Sequence, residues 1–392
     1  MYLLPVAPKA VAITQLVLHT FYAGGHPTTI LSDTTHEGFE LRARVVLWAP
    51  GATAGEVTVA LPGLSGATVT VQASVTEGYS NVSLVIPASA TKGVQLWHPR
   101  GNGGQHRYNV TATFTPSSSS SASASVTKSN QEEQAHLSAG SAAGGGQQVV
   151  APVALTWRLL GFRHVALVTI NDTDTALAAA AKDQDGTDQF SMFFRVNGAA
   201  IYARGGNKIP MDLIDGRMSA TAHRRLVQSA AEGNMNMLRV WGGGIWEPRA
   251  WFDACDEFGV MLYLDMQFTW GSVTVPGATS ETVRKELVYQ IERISHHASV
   301  VLLDGCNECG GAGLTTSFVM TTVAQTDPSR AVWPSCPASG WASGVDRLTA
   351  RANGKPLKGG VGAGTARPKW AGDAAVKMPM ESHGGYVGLG AL

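Results

Sequence analysis

Several things are scarce in this 392-residue sequence, and each scarcity removes a class of function. There are four cysteines, Cys255, Cys306, Cys309 and Cys336, all in the second half. Cys306 and Cys309 form a C-x-x-C pair, but a zinc site needs a second ligand pair at matching spacing and none is present, so no metal is expected and the pair reads as ordinary thiols lining the fold. Net charge is absent too, with 29 Lys plus Arg against 29 Asp plus Glu. No overall field therefore favours nucleic acid or an anionic membrane surface, and a neutral, polar ligand fits that balance. No run approaches the roughly 18 apolar residues that a membrane span needs. Met1 to Leu18 is apolar only in patches broken by Pro5, Pro8 and Lys9, so a signal peptide is not supported. No G-x-G-x-x-G stands between a strand and a helix, which removes the main support for nucleotide binding.

What is present falls into two halves with different rhythms. From Ala10 to Phe114, short alternating stretches such as Phe39-Glu-Leu-Arg-Ala-Arg-Val-Val-Leu and Val57-Thr-Val-Ala-Leu are separated by Gly, Pro and Ser. Period-two alternation between turn signals predicts half-buried antiparallel strands and an immunoglobulin-like β-sandwich over 1–170. A Ser/Ala/Gly-rich stretch at about 116–148 cannot bury enough apolar surface to offset its ordering entropy and is expected to be a disordered insertion. Leu155-Thr-Trp-Arg-Leu-Leu and Val165-Ala-Leu-Val then resume the sandwich, and 171–189 reads as a flexible linker. Three sequons, at Asn81, Asn109 and Asn171, suit a secreted, lysosomal or vacuolar protein.

From 190 onward the rhythm becomes strand, loop, helix. Ile201-Tyr-Ala-Arg, Met237-Leu-Arg-Val-Trp, Val260-Met-Leu-Tyr-Leu and Val300-Val-Leu-Leu read as strands. The helices between them are Ser219 to Glu232, one opening near Pro248 and ending at Gly259, and Glu281 to His296. Continuous apolar strands alternating with amphipathic helices imply a parallel sheet covered on both faces, which a (β/α)8 barrel and a doubly wound sheet both satisfy. The strand ends favour the barrel, whose catalytic groups stand there. The first offers Gly206-Asn207, the second Arg239 and Trp241, the third Asp265, and the fourth Asp304, Asn307 and Glu308.

Asn234-Met-Asn-Met-Leu-Arg-Val-Trp-Gly-Gly-Gly-Ile, Phe252-Asp-Ala-Cys-Asp-Glu-Phe-Gly, His296-His-Ala-Ser-Val-Val-Leu and Asn307-Glu308, in this order, resemble the β-mannosidase branch of glycoside hydrolase family 2. Phe194-Arg-Val-Asn-Gly and Leu96-Trp-His-Pro-Arg-Gly-Asn-Gly agree. The resemblance runs from roughly Leu96 to Pro337 with the insertions excluded. It implies a retaining two-carboxylate mechanism on a terminal β-mannoside, with no cofactor. Glu308 would then be the acid/base, Asn307 would hydrogen-bond the sugar 2-hydroxyl, and Trp241 would offer an apolar face to the ring. Arg239, Asp265 and Asn207 would contribute to substrate binding. Each has a plainer reading: a solvated loop carboxylate for Glu308, a packed aromatic for Trp241, a structural ion pair for Arg239 and Asp265. The family's compartments are lysosomal, vacuolar or extracellular; oligomeric state is left open.

Two departures concern the pocket wall: Leu303-Asp-Gly-Cys-Asn-Glu where the family has Trp-x-Gly-Asn-Asn-Glu, and Lys208 where a Trp often precedes Ile-Pro. The family nucleophile, a Glu in Ser-Glu-[Phe/Tyr]-Gly, has no counterpart. Glu381, in Met380-Glu-Ser-His-Gly-Gly-Tyr, is the only late glutamate and fits better as an earlier family segment with His383 as a substrate-site residue. The fold expected is thus multidomain, a sandwich followed by a (β/α)8 TIM-type barrel over 190–392 that is C-terminally incomplete, truncated before strand 7 and lacking the family's N-terminal jelly roll. Such a chain would have little or no hydrolytic activity of its own. The alternatives are another family 2 specificity, a β-glucosaminidase or β-galactosidase, and a non-catalytic sugar-binding remnant.

Overall fold

The computed structural model describes residues 10–117, 154–168, 193–212, 214–269, 280–308 and 321–333, with Thr173, Gly277, Phe318 and Val319. The insertion beyond Ser117, the linker apart from Thr173, and the segment bearing Glu381 and His383 lie outside the described residues. Those described fall into two compact units, one drawn from Met1–Leu18, Glu40–Thr91 and Tyr108–Leu159, the other from His19–Phe39, Lys92–Arg107 and Leu160–Leu392.

The first unit is built on β1 (Ala12–Tyr22), β2 (Phe39–Ala49), β3 (Thr53–Ala60), β4 (Thr68–Val75), β5 (Gly78–Ile86), β6 (Tyr108–Pro116) and β7 (Ala154–Leu160). They form two sheets, ordered β1-β2-β5 and β4-β3-β6-β7, with β2 antiparallel to β5 and β3 antiparallel to both β4 and β6. Alternation decides which faces meet. Leu41, Ala43, Val45 and Leu47 are buried on one face of β2, and Val57, Val59, Val110, Ala112 and Phe114 are buried in the other sheet. Each Leu, Val and Phe among them contributes about 1.5–3 kcal/mol of burial. The outward faces carry polar cross-strand pairs, such as Thr58 and Thr70 with their hydroxyls 2.8 Å apart. The sequon residues Asn81 and Asn109 are exposed.

In the second unit, β8 (Val165–Val168), β9 (Phe193–Val196) and β10 (Ala199–Ile201) form a small antiparallel sheet ordered β10-β9-β8. This revises two expectations. Val165–Val168 leaves the sandwich to pair with β9. Ile201 closes a hairpin instead of opening the parallel sheet, because the two-residue turn Asn197-Gly198, with φ of 48° and 82°, returns the chain directly onto β9.

The parallel sheet consists of β11 (Gly205–Lys208), β12 (Met237–Val240), β13 (Met261–Asp265), β14 (Val300–Asp304) and β15 (Ala331–Trp333), joined through α1 (Ala220–Glu232), α2 (Arg249–Phe258), α3 (Glu281–Arg293) and α4 (Thr321–Thr326). Its strands run in chain order, β11-β12-β13-β14-β15, all parallel. A doubly wound sheet reverses its order at a switch point. No reversal occurs among the described strands, an order consistent with part of a barrel wall. The helix ends follow local chemistry: Ser219 and Ser280 cap α1 and α3 by accepting from Ala222 and Val283, and Gly259, at φ 71°, ends α2 in the left-handed conformation. Pro248 is the N-cap of α2, just outside the first turn expected for it.

Gly205 sets the register of β11. A Cβ there would lie 1.7 Å from the Met237 carbonyl oxygen, so only glycine lets the first two parallel strands approach. Gly205→Ala is expected to lower unfolding free energy by about 1–3 kcal/mol, read by urea denaturation, while Gly25→Ala, which meets nothing within 4 Å, leaves it unchanged. Equal effects of the two would discard this account.

Two of the sequence motifs build the floor of the sheet. The Asp256 carboxylate accepts from the Ser299 amide at 2.8 Å and pairs with His297 Nδ1 at 2.7 Å, joining the C-terminal end of α2 to the start of β14. The Trp97 indole donates to the Asp256 carbonyl at 2.8 Å, and the Arg100 amide donates to the Gly259 carbonyl at 2.8 Å. Leu96–Gly103, read as sandwich, thus docks against the α2–β13 corner.

Candidate active site

The opposite, C-terminal edge of the sheet gathers the polar residues. Register aligns Asn207 with Arg239 and Arg239 with Tyr263, and sets Asp265 opposite Asp304. Because side chains alternate across a pleated strand, Asp265 shares the face of Tyr263 two residues earlier.

Arg239 organises this face. Its side chain is 5% exposed, and its Nε and one terminal nitrogen reach the two Asp265 oxygens at 3.0 and 2.5 Å. That same nitrogen donates to Asn307 Oδ1 at 2.8 Å, the other donates to Asn207 Oδ1 at 3.4 Å, and the guanidinium carbon lies 5.4 Å from the Tyr263 ring centroid. One rigid fork therefore fixes three side chains from three strand ends.

Asp265 is fully buried, and burial pushes its pKa up to about 6 against the pull of Arg239 and of the Gly242 amide, which donates to it at 3.0 Å. Asp304, equally buried, is pushed well above the carboxylate range by burial first and then by the neighbouring Asp265 charge. One guanidinium thus faces two buried carboxylates, and burial pushes both upward.

The Gly242-Gly-Gly run serves this edge. A Cβ on Gly242 would lie 2.4 Å from the Phe268 carbonyl oxygen and 2.7 Å from that of Met266, and one on Gly243 would meet the Trp241 ring at 2.1 Å. Glycine is thus required for the loop to pass and for the half-buried Trp241 indole to fold over it. Beyond β14, the Asn307 amide donates to the Phe268 carbonyl at 3.0 Å and the Asn307 side chain donates to Thr269 Oγ1 at 3.2 Å. Glu308 follows, half-buried, with φ of 58°.

Arg239, Asp265, Asn307 and Asn207 are therefore one connected cluster, with Glu308 next to Asn307 in the chain and Trp241 two residues beyond Arg239. Glu381 and His383 lie outside the described residues. Lys208, expected at the pocket wall, is elsewhere. It is 5% exposed on the helix-facing side of β11, ion-paired with buried Glu247 and 5.1 Å from the Trp251 ring centroid, because the strand pleat turns it away from Asn207. Cys306, read as an ordinary thiol, is disulfide-bonded, while Cys309 and Cys336 lie outside the described residues. Among the described residues no cluster of His, Cys, Asp and Glu is arranged to hold a metal ion, and no helix is long and apolar enough to cross a membrane.

Known proteins carry similar sequence over part of the chain. The chain is 31% identical over 257 residues to a β-mannosidase of Rattus norvegicus and 31% identical over 250 residues to β-mannosidase B of Thermothelomyces thermophilus, matches that cover 65% and 64% of this chain. The chain is β-mannosidase-like. It spans about a quarter of those relatives, 24% of each. No family model matches. Among solved structures, the β-D-mannosidase of Dictyoglomus thermophilum superposes with a TM-score of 0.57 at 21% identity, covering 84% of this chain and 35% of that one. An exo-chitosanase of Amycolatopsis orientalis gives 0.56 at 17%, covering 84% and 33%. At such identities these structures share the fold alone with the β-mannosidase-like chain: antiparallel β-sheets followed by a parallel β/α sheet.

Tyr263 was missed in the sequence and Asp304 was noted without a role. Their signal was the i, i+2 spacing of Tyr263 and Asp265 at a strand end, legible once the strand's inward face is known.

Proposed function

We propose that this chain carries the acid/base part of a retaining exo-β-mannosidase site, acting on terminal β-D-mannose of an oligosaccharide or glycoconjugate, and that 190–392 is its catalytic (β/α)8 barrel preceded by an immunoglobulin-like sandwich over 1–170. The observation that carries the reading is the Arg239 cluster beside Asn307-Glu308 in a chain of β-mannosidase-like sequence. In this mechanism Glu308 protonates the leaving oxygen and later takes a proton from water, while a second carboxylate about 5 Å away attacks the anomeric carbon. Asn307, its carbonyl oxygen held by Arg239, directs its amide towards the sugar 2-hydroxyl. Trp241 supplies an apolar face for the ring. Asp265 and Asn207 hold Arg239 in place and border the substrate, and His383 is a further substrate-site candidate.

The test is a panel of nitrophenyl β-glycosides offered to the purified 392-residue chain, with calorimetric titration of methyl β-mannoside, methyl β-galactoside and β-glucosamine methyl glycoside run alongside. The expected outcome is a preference for the mannoside in hydrolysis or, if turnover is absent, in binding. Cleavage or binding of another sugar with none of mannoside would transfer the chain to a different family 2 specificity. No binding of any sugar by a folded chain would make it a non-binding remnant. Glu381→Gln belongs in the same series: a loss comparable to that of Glu308→Gln would pair the two carboxylates, and unchanged turnover would place the nucleophile elsewhere.

A further inference from the structure

We infer that Asp304 and Tyr263 form a positioning device for the turn that presents Asn307 and Glu308. The inference rests on the reading of these two residues as sugar-site groups.

β14 ends at Asp304, and within four residues the chain must deliver one side chain to Arg239 and the next to the substrate face. Asp304 Oδ1 accepts from the Cys306 amide at 2.9 Å, closing an i to i+2 side-chain turn immediately after the strand. Its Oδ2 accepts from the Tyr263 hydroxyl, so the carboxyl group is gripped from the neighbouring strand and cannot rotate out of the turn. Both residues are fully buried. The next links are backbone: Asn307 pairs with Thr269 in an isolated parallel bridge, and its amide donates to Phe268.

The device answers a local difficulty. Glu308 sits in the left-handed region at φ 58°, where a residue with a Cβ costs roughly 1–2 kcal/mol. Such a conformation persists only where its surroundings over-determine it. The Asp304 turn and the Phe268–Asn307 bond supply that determination just before Glu308, and Asn307 is pinned by Arg239 at its other end.

Amide hydrogen exchange read by mass spectrometry tests the turn without requiring turnover. In Asp304→Ala, peptides covering Cys306 to Glu308 are expected to exchange at least tenfold faster, with the rest of the sheet unchanged. Asp304→Asn keeps an acceptor for Cys306 and a polar partner for Tyr263, and is expected to restore parent exchange. Tyr263→Phe, which keeps the ring, gives an intermediate acceleration confined to the same peptides and decides the matter if Asp304→Ala unfolds. The functional arm is titration of methyl β-mannoside, where affinity falls about tenfold in Asp304→Ala and returns in Asp304→Asn. Unaltered exchange in both Asp304→Ala and Tyr263→Phe would overturn the inference, as would a loosened turn with unaltered affinity. If the parent chain binds no mannoside, the proposed function fails, and the exchange arm alone still decides whether Asp304 and Tyr263 hold the turn.

Discussion

Glu308→Gln is expected to slow whatever hydrolysis of an unactivated β-mannoside the chain performs by about 10²–10⁴-fold, the usual contribution of a positioned general acid. The amide nearly matches the carboxyl in shape, so the left-handed backbone at Glu308 and the neighbouring Asn307 contacts should survive. Binding of methyl β-mannoside should therefore change little, and the loss should fall on kcat. Leaving-group dependence supplies the diagnostic. A nitrophenolate departs with little protonation, so glycosylation of a nitrophenyl mannoside should suffer much less than that of a mannobioside. Equal losses on both substrates would indicate a general structural effect, and no loss on either would return Glu308 to a solvated loop carboxylate.

Arg239→Leu is the second large effect. Removing one partner of a buried ion pair leaves the other uncompensated and costs about 3–5 kcal/mol. Here it would strand Asp265 and release Asn307 and Asn207 together. The cost should depend on pH in a definite direction. Asp265 has a folded-state pKa of about 6, above the ordinary 3.8 of an aspartate, so the folded chain holds this proton more tightly than the unfolded one. Stability from this group is therefore greatest at low pH, falls as pH rises between those two values, and is level above them. Without Arg239 the folded pKa climbs further and the falling range extends upward. Urea denaturation should then show parent and variant closest at about pH 4, where Asp265 is protonated in both and only the lost Asn307 and Asn207 bonds separate them, and furthest apart at about pH 8. A stability difference independent of pH would mean that lost packing, and not the stranded carboxylate, dominates.

How far these residues could be found in advance varied with the range of the interaction involved. Helix ends and strand faces depend on neighbours within a few positions, so Ser219, Ser280 and Gly259 marked their boundaries, and the alternation in Phe39–Ala49 marked its buried face. Polar residues at the ends of apolar runs likewise marked Arg239, Asp265, Asn307 and Glu308 as a set. The sequence could not say which of the apolar runs would become the first parallel strand. Ile201-Tyr-Ala-Arg had the better strand composition, yet Gly205–Lys208 took the place because it could approach Met237 closely and the hairpin had already claimed Ile201.

The sequence by itself determined the periodicities, the caps and the identity of the polar groups at the strand ends, since these follow from side-chain chemistry acting over one or two turns of chain. Tertiary structure alone decided the pairings. Lys208 went to Glu247 and away from the Arg239 cluster, Asp256 to His297, and Asp304 to Tyr263. Arg239 reached partners 26, 32 and 68 residues away. Register and pleat set the strand side of such contacts, and a one-residue change in either would send Lys208, Arg239, Tyr263 and Asp304 to the opposite face.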